Sequence, residues 1–215
     1  MKSLFFTLLL TLGLVFGALA QSKPALTPAD YGKWETLGQG TLSPDGKYVF
    51  VTSEDEGTVA VVDVAAQTVA KTIKVGRRPR GIVFTPDGGR AFISNENDAN
   101  VSVIDVAKLE ESGKIAIGEG QKPMGMALTK DGSKLYVSTG RGKSVALVDP
   151  AAAKVVSTFE VGQRPWGIAL SPDEKLLFTA NGPSNDVSIV DLNTKSVIKK
   201  IKAGDRPWGV AVVGQ

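Results

Sequence analysis

The chain has 215 residues, with 25 Lys and Arg against 22 Asp and Glu and a formal charge of +3, a balance that argues against nucleic acid or an anionic membrane surface as partner. It has neither cysteine nor histidine. That excludes disulfides, thiolate nucleophiles, iron–sulfur and CxxCH haem sites, ordinary zinc sites and the Ser-His-Asp and Cys-His mechanisms, and leaves carboxylates, lysine or a hard metal as means of catalysis.

The opening MKSLFFTLLLTLGLVFGALA sets Lys2 before an apolar stretch from Leu4 to Gly17 and ends on Ala18-Leu19-Ala20, the pattern of a cleaved secretory leader. The polar QSKP that follows favours cleavage over a membrane anchor. Residues 1–20 are therefore expected to be a signal peptide, and the protein periplasmic or secreted, with no stable membrane anchor after cleavage. Residues 21–36 form a lead-in, and 37–215 one domain with length enough for a real core.

From there the chain is periodic. Pro79, Pro123, Pro165 and Pro207 each stand two residues before a glycine (Gly81, Gly125, Gly167, Gly209), at steps of 44, 42 and 42. The turn residues Asp45, Asp87, Asp131 and Asp173 step by 42, 44 and 42, and so do Asp63, Asp105, Asp149 and Asp191. These markers define repeats over about 39–75, 77–117, 121–161 and 163–203, with a lone fifth strand at 207–213. In the last full repeat GIALS, LLFTAN, VSIVD and SVIKKIKAG read as four short strands, a to d, with no helical period. Four antiparallel strands every ~40–45 residues predict an all-β propeller of four-stranded blades. The Pro-Asp-Gly stretches suit tight a–b turns, and the aspartate closing each strand c suits capping of the c–d turn.

Two of these units, RPRGIVFTPDGGRAFISNENDANVSVIDV and RPWGIALSPDEKLLFTANGPSNDVSIVDL, resemble the repeats of the YVTN family of β-propellers, and the resemblance covers about Val75 to Val213. The RPWG spelling and the NGPSNDVSIVD loop are similar to secreted propellers associated with pyrroloquinoline-quinone (PQQ)-dependent alcohol catabolism. The segment LTPADYGKWETLGQGTLSPDGKYV, Leu26 to Val49, resembles the propeller start of prolyl-oligopeptidase-type serine peptidases. With no G-x-S-x-G and no histidine, peptidase activity does not carry over. The YVTN resemblance implies seven repeats most often. Four repeats and a strand leave two architectures: a small closed ring, in which GVAVV supplies the inner strand that GTLS makes weakly, or an incomplete propeller, either a fragment or an arc completed by a second copy.

Antiparallel strands send alternate connections to opposite faces, so the d–a and b–c loops share one face. The b–c loops differ from repeat to repeat: SEDEG (Ser53 to Gly57), SNENDAN (Ser94 to Asn100), STGRGKS (Ser138 to Ser144) and ANGPSND (Ala180 to Asp186). The d–a loops bring Arg78, Lys122, Arg164 and Arg206 to equivalent places, with Arg80, Met124, Trp166 and Trp208 two residues later. Strand a is innermost, so Arg78, Arg80, Lys122, Arg164, Trp166, Arg206 and Trp208 are expected at the channel mouth, a cationic collar with two indoles suited to a flat or carboxylated anion. The competing reading has the cations pair with b–c loop acids while Trp fills the gap between blades. Asn95, Glu96, Asn97 and Asp98 offer oxygen ligands for calcium, or simply a solvated turn. GRGKS at Gly140 to Ser144 lacks the first glycine of a phosphate loop, because Val137 stands there.

The inner strands GIVF, GMAL, GIAL and GVAV carry no acid. The sequence is accordingly read as a non-catalytic binding or scaffold module without a covalent cofactor, taking a small anionic ligand or a protein partner. A homo-oligomer is expected if the ring is open, and the setting implied by the resemblance is PQQ-linked alcohol oxidation. The alternative is a metal-assisted, lactonase-like propeller hydrolase, or a fragment of a larger propeller.

Overall fold

The computed structural model describes residues 37–213, so the expected signal peptide at 1–20 and the lead-in at 21–36 lie outside the described residues. Blade 1 is built from β1 (Leu37–Leu42), β2 (Tyr48–Ser53), β3 (Thr58–Asp63) and β4 (Thr68–Lys74). Blade 2 has β5 (Pro79–Phe84), β6 (Arg90–Asn95), β7 (Asn100–Asp105) and β8 (Glu110–Ala116). Blade 3 has β9 (Met126–Leu128), β10 (Leu135–Ser138), β11 (Ser144–Asp149) and β12 (Lys154–Glu160). Blade 4 has β13 (Pro165–Leu170), β14 (Leu176–Asn181), β15 (Asp186–Asp191) and β16 (Ser196–Lys202). Each blade is an antiparallel sheet in sequence order, as the all-β propeller reading expects. A single 3-10 turn, Gly140–Gly142, interrupts blade 3 in the GRGKS stretch and leads straight into β11.

Strand alternation gives every blade two apolar faces, one forward to the next blade and one rearward. Phe50, Val59, Val61 and Ile73 of blade 1 pack against Ile82, Ala91, Ile93 and Ile104 of blade 2. Phe92, Val101 and Ile115 continue onto Leu135, Val137 and Val148 of blade 3. Tyr136, Val145 and Phe159 continue onto Ile168, Leu177 and Val190 of blade 4. The core is thus three inter-blade layers, and each fully buried aliphatic or aromatic side chain in them is worth about 1.5–3 kcal/mol.

Neighbouring inner strands meet at the repeated glycines. The Ser94 hydroxyl accepts from the Gly81 amide at 2.8 Å and donates to the Met124 carbonyl at 2.5 Å. Ser138 repeats the stitch, accepting from Gly125 at 2.9 Å and donating to the Trp166 carbonyl at 2.7 Å. A Cβ on Gly81 would lie 2.6 Å from the Met124 oxygen, and one on Gly125 would overlap the Trp166 oxygen. Only glycine lets the strands come this close.

At the last position the Gly167 amide donates directly to the Trp208 carbonyl at 2.9 Å. This seats residues 207–210 on the forward side of β13, without strand pairing of their own. Blade 1 keeps its own inner strand, with Gly40, Thr41 and Leu42 of β1 opposite Val51, Phe50 and Val49 of β2. The closed four-blade ring is therefore corrected: β2 carries β1 on its inner edge, and among the described residues no strand pairs with 207–213, which meets β13 through the Gly167–Trp208 bond.

On the opposite end, the a–b turns share one hydrogen-bonded clasp. Ser43, Thr85, Thr129 and Ser171 each donate to Oδ1 of the aspartate two residues on, at 2.6 Å. Each hydroxyl oxygen also accepts an amide five residues on, from Tyr48, Arg90, Lys134 or Leu176. The hydroxyl bond is the main reason these carboxyls titrate below the usual aspartate range, with Asp131, which also receives the Ser133 amide and hydroxyl, lowered to about 2. At the c–d turns Asp63, Asp105, Asp149 and Asp191 accept amides three residues on.

Two outcomes follow. Gly81→Ala should lower stability by about 1–3 kcal/mol through overpacking against Met124, read as a reduced urea midpoint; an unchanged midpoint would show that the next strand can give way. Because the folded pKa of Asp131 is depressed below 3.8, its contribution is complete above about pH 4 and is lost as pH falls towards 2. The stability gap between the wild type and Asp131→Asn should accordingly be full at pH 7 and close across that acid window, with denaturant midpoints at stepped pH as the measurement.

Candidate functional site at the channel mouth

The d–a and b–c loops lie on one face. The Glu96 amide donates to the Arg78 carbonyl at 3.0 Å and the Gly182 amide to the Arg164 carbonyl at 3.4 Å. Between the inner strands opens a cavity of about 490 Å³ lined by Glu54, Arg80, Met124, Trp166, Trp208 and the inner-strand glycines. Its size is ordinary for a small-molecule site.

Of the seven residues expected here, Arg80, Trp166 and Trp208 line the cavity. Arg78, in a left-handed backbone conformation, holds its Nε 3.3 Å from both Glu54 and Glu96. Arg164 lies with its guanidinium 5.6 Å from the Trp166 ring centroid, and Lys122 donates to Asn97 Oδ1 at 3.1 Å. Arg206 is exposed and anchored by its backbone amide, which donates to Asn185 at 2.9 Å. Arg78, Arg164 and Arg206 share a left-handed backbone that Lys122 does not, and the four cations meet different partners.

The partners follow a rule that becomes visible when the repeats are superposed. Glu54, Glu96, Gly140 and Gly182 occupy one repeat position; Arg80, Met124, Trp166 and Trp208 occupy another. Arg80 pairs with Glu54 through Nη1 and with Glu96 through Nε, the latter at 2.8 Å, and all three side chains are nearly buried. Where the loop carries glycine, the second position is apolar and large. The Trp166 ring lies over Gly182, where any Cβ would overlap it, and Met124 lies over Gly140, whose Cβ would sit 3.3 Å from Met124 Cγ. Trp208 stacks on Trp166 with ring centroids 4.4 Å apart and planes tilted by 42°.

The mouth therefore has a charged half, two carboxylates bridged by a guanidinium, and an apolar half of two indoles and a thioether. Stripping Arg80 of a partner in so dry a place would cost on the order of 3–5 kcal/mol. Two buried donors in the indole stack, Trp166 Nε1 and Arg164 Nε, have no acceptor among the described residues. Glu54 was missed as a functional candidate from sequence. Its signal was the parallel exchange of Glu for Gly in the loop and Arg for Met or Trp on the strand.

The four residues offered for calcium diverge. Asn95 turns inward to Asn100 and Ser102, Glu96 to the arginines, Asn97 to Lys122 and Asp98 to Arg77. Among the described residues no group of three or more acidic or other ligating side chains could hold a metal ion.

A family model described as "Lactonase, 7-bladed beta-propeller" matches residues 39–206. No curated protein matches the chain. Among solved structures, hydrazine synthase of Kuenenia stuttgartiensis is 24% identical with a TM-score of 0.72, over 84% of this chain and 51% of that one. A candidate 6-phosphogluconolactonase from Bacteroides uniformis is 21% identical with a TM-score of 0.69, over 80% and 56%. A Lactobacillus plantarum protein is 20% identical with a TM-score of 0.71, over 80% and 57%. At these identities the likeness concerns the fold, and the chain spans little more than half the length of the structures it matches. The family match corrects the expectation of a non-catalytic module: it points to a family of hydrolase-like enzymes.

The stacked indoles should give an exciton couplet in the circular dichroism spectrum. It should vanish in Trp208→Phe and shrink in Gly182→Ala, where the added methyl displaces Trp166; a couplet untouched by both changes would show the rings apart in solution.

Proposed function

Because the chain belongs to the lactonase family of seven-bladed β-propellers, we propose that it is a hydrolase-like propeller whose channel mouth takes a sugar-derived cyclic ester. The observation that carries this reading is the division of one cavity into an indole half and a carboxylate–guanidinium half. A sugar lactone has matching sides. Its C–H face suits the indoles, and its hydroxyl and ester edge suits Glu54, Arg80 and Glu96.

Ring opening needs water to add to the carbonyl carbon, the ring C–O bond to break, and a proton to reach the departing oxygen. A mouth glutamate can take the proton from the attacking water and return it to the alkoxide. Arg80 can stabilise the carbonyl oxygen as it gains negative charge. For this the substrate must displace one of the two ion pairs at Arg80, which also orients the freed carboxylate towards the ester. An acidic substituent on the sugar would find Arg164, which no glutamate engages among the described residues.

The metal-assisted version does not fit the described residues, because the acids at the mouth turn to arginines and no third ligand joins them. The resemblance to YVTN repeats and to propellers beside PQQ-linked alcohol oxidation supports an exported setting in which lactones arise when cyclic hemiacetals are oxidised.

The test is pH-stat hydrolysis of gluconolactone and 6-phosphogluconolactone, with spontaneous opening subtracted. The wild type should accelerate one of them. Glu54→Gln or Glu96→Gln should lower kcat about 100-fold, and Trp166→Ala should raise KM up to about 10-fold. Rates at background for both lactones reject the reading.

A further inference from the structure

We propose that the end of the molecule opposite the channel mouth holds a second binding site, a cavity between blades 3 and 4 that takes a small molecule carrying a primary ammonium group. The cavity, of about 380 Å³, opens among the turns of these blades and is walled by Asp131, Tyr136, Glu174, Asp191 and Leu192. Its volume suits a small ligand.

The junction is built differently from its two neighbours. Pro44 packs over Gly88 and Pro86 over Gly132, so that a Cβ on either glycine would lie 3.7 or 3.3 Å from the proline ring. Between blades 3 and 4, Lys130 stands in the place of the proline and Glu174 in that of the glycine. Proline has no amide hydrogen to give. The Lys130 amide donates to Glu174 Oε1 at 2.6 Å, and the Lys130 ammonium donates to the Pro172 carbonyl at 2.7 Å. Glu174 adopts a left-handed backbone with φ of 57°, where Gly46, Gly88 and Gly132 stand at 73°, 70° and 71°. Glycine takes such a φ freely and glutamate does not, so the turn itself gains nothing by the exchange.

A third exchange reaches the same cavity. Strand b carries Phe50, Phe92 and Phe178 in blades 1, 2 and 4 but Tyr136 in blade 3. Tyr136 is 4% exposed and lines the cavity, and its hydroxyl makes no hydrogen bond among the described residues. A phenol packed among apolar neighbours gains no stability from an unpaired hydroxyl that phenylalanine would spare it. Burial first, and then the charge of Glu174, hold this phenol above its usual pKa, so the hydroxyl stays protonated beside the carboxylate.

The oxygens left over define the ligand. The Lys130 amide takes Oε1 of Glu174, and the Asn193 and Thr194 amides take Oδ1 of Asp191; the second oxygen of each carboxylate accepts nothing from the described residues. The hydroxyls of Thr129 and Ser133 are spent on Asp131. The fixed wall therefore offers two carboxylate oxygens and a phenol oxygen, and an ammonium supplies three donors and one positive charge. Leu192 and the Tyr136 ring give a short alkyl chain an apolar side to lie on. Lys134 and Lys175 stand exposed at the rim, where Lys175 turns to Asp173 at 3.8 Å. The site binds and does not react, and the inference does not rest on the lactone reading.

Equilibrium dialysis of the full chain against radiolabelled 1,4-diaminobutane should show saturable binding at one site per chain, and succinate should neither bind there nor compete. Tyr136→Phe and Glu174→Gly each install the residue found in the other three repeats, so both variants should keep the wild-type circular dichroism. Tyr136→Phe should weaken binding about 10-fold, the loss of one hydrogen bond to a charged group, and Glu174→Gly by at least as much. Glu54→Gln, at the mouth, should leave it unchanged. Dialysis without saturable uptake, succinate bound as well as the amine, an affinity unaltered by either turn-end variant, or binding lost in Glu54→Gln overturns the proposal.

Discussion

The backbone contact at Gly81, Gly125 and Gly167 governs this molecule. Each sheet is held internally by ordinary ladders, but the sheets are held in an arc because inner strands touch carbonyl to Cα, with a serine hydroxyl clipping the approach at two of the three junctions. That proximity sets the angle between blades, and the angle brings the forward face of each sheet onto the rear face of the next. The inter-blade cores are a consequence of the contact as much as its support. So is the channel, because residues flanking those glycines have nowhere to point except its mouth.

The same contact explains why chemistry collects at one end. On the far end, the hydroxyl–aspartate clasp repeats with little variation in all four turns. At the mouth the repeats part company. Blades 1 and 2 contribute glutamates around Arg80, while blades 3 and 4 contribute glycines beneath Met124 and Trp166. A scaffold that holds position constant can vary the side chain at each position, and here it has produced a site with two chemically opposed sides.

Much of this was legible in the chain. Markers at steps of 42 and 44 residues place every strand, turn and loop, since a blade tolerates no change of length in its sheets. The shared face of the d–a and b–c loops followed from antiparallel pairing alone. Partners were harder to read. Spacing says that Arg78, Lys122, Arg164 and Arg206 are equivalent; it does not say that Glu54, from across a blade boundary, and Glu96, from the same blade, neutralise the first, while an indole lies beside the third. Looking for acids only on the inner strands overlooked those supplied by the loops. The path of the last segment was also hidden, because its pattern suits the inner edge of blade 1 as well as a fifth position, and the pairing of β1 with β2 decides.

The coupling between loop and strand at the mouth has a bearing on how such a site can change over time. An indole arriving above a glutamate would collide with it, and a glutamate lost from beneath an arginine would strand a cation in a dry place. Novel specificity at any one blade must therefore arise through paired exchanges, and intermediates carrying half of the exchange are handicapped. The opening is in effect written in two-letter words, and its possible vocabularies are far fewer than eight freely varying positions would allow.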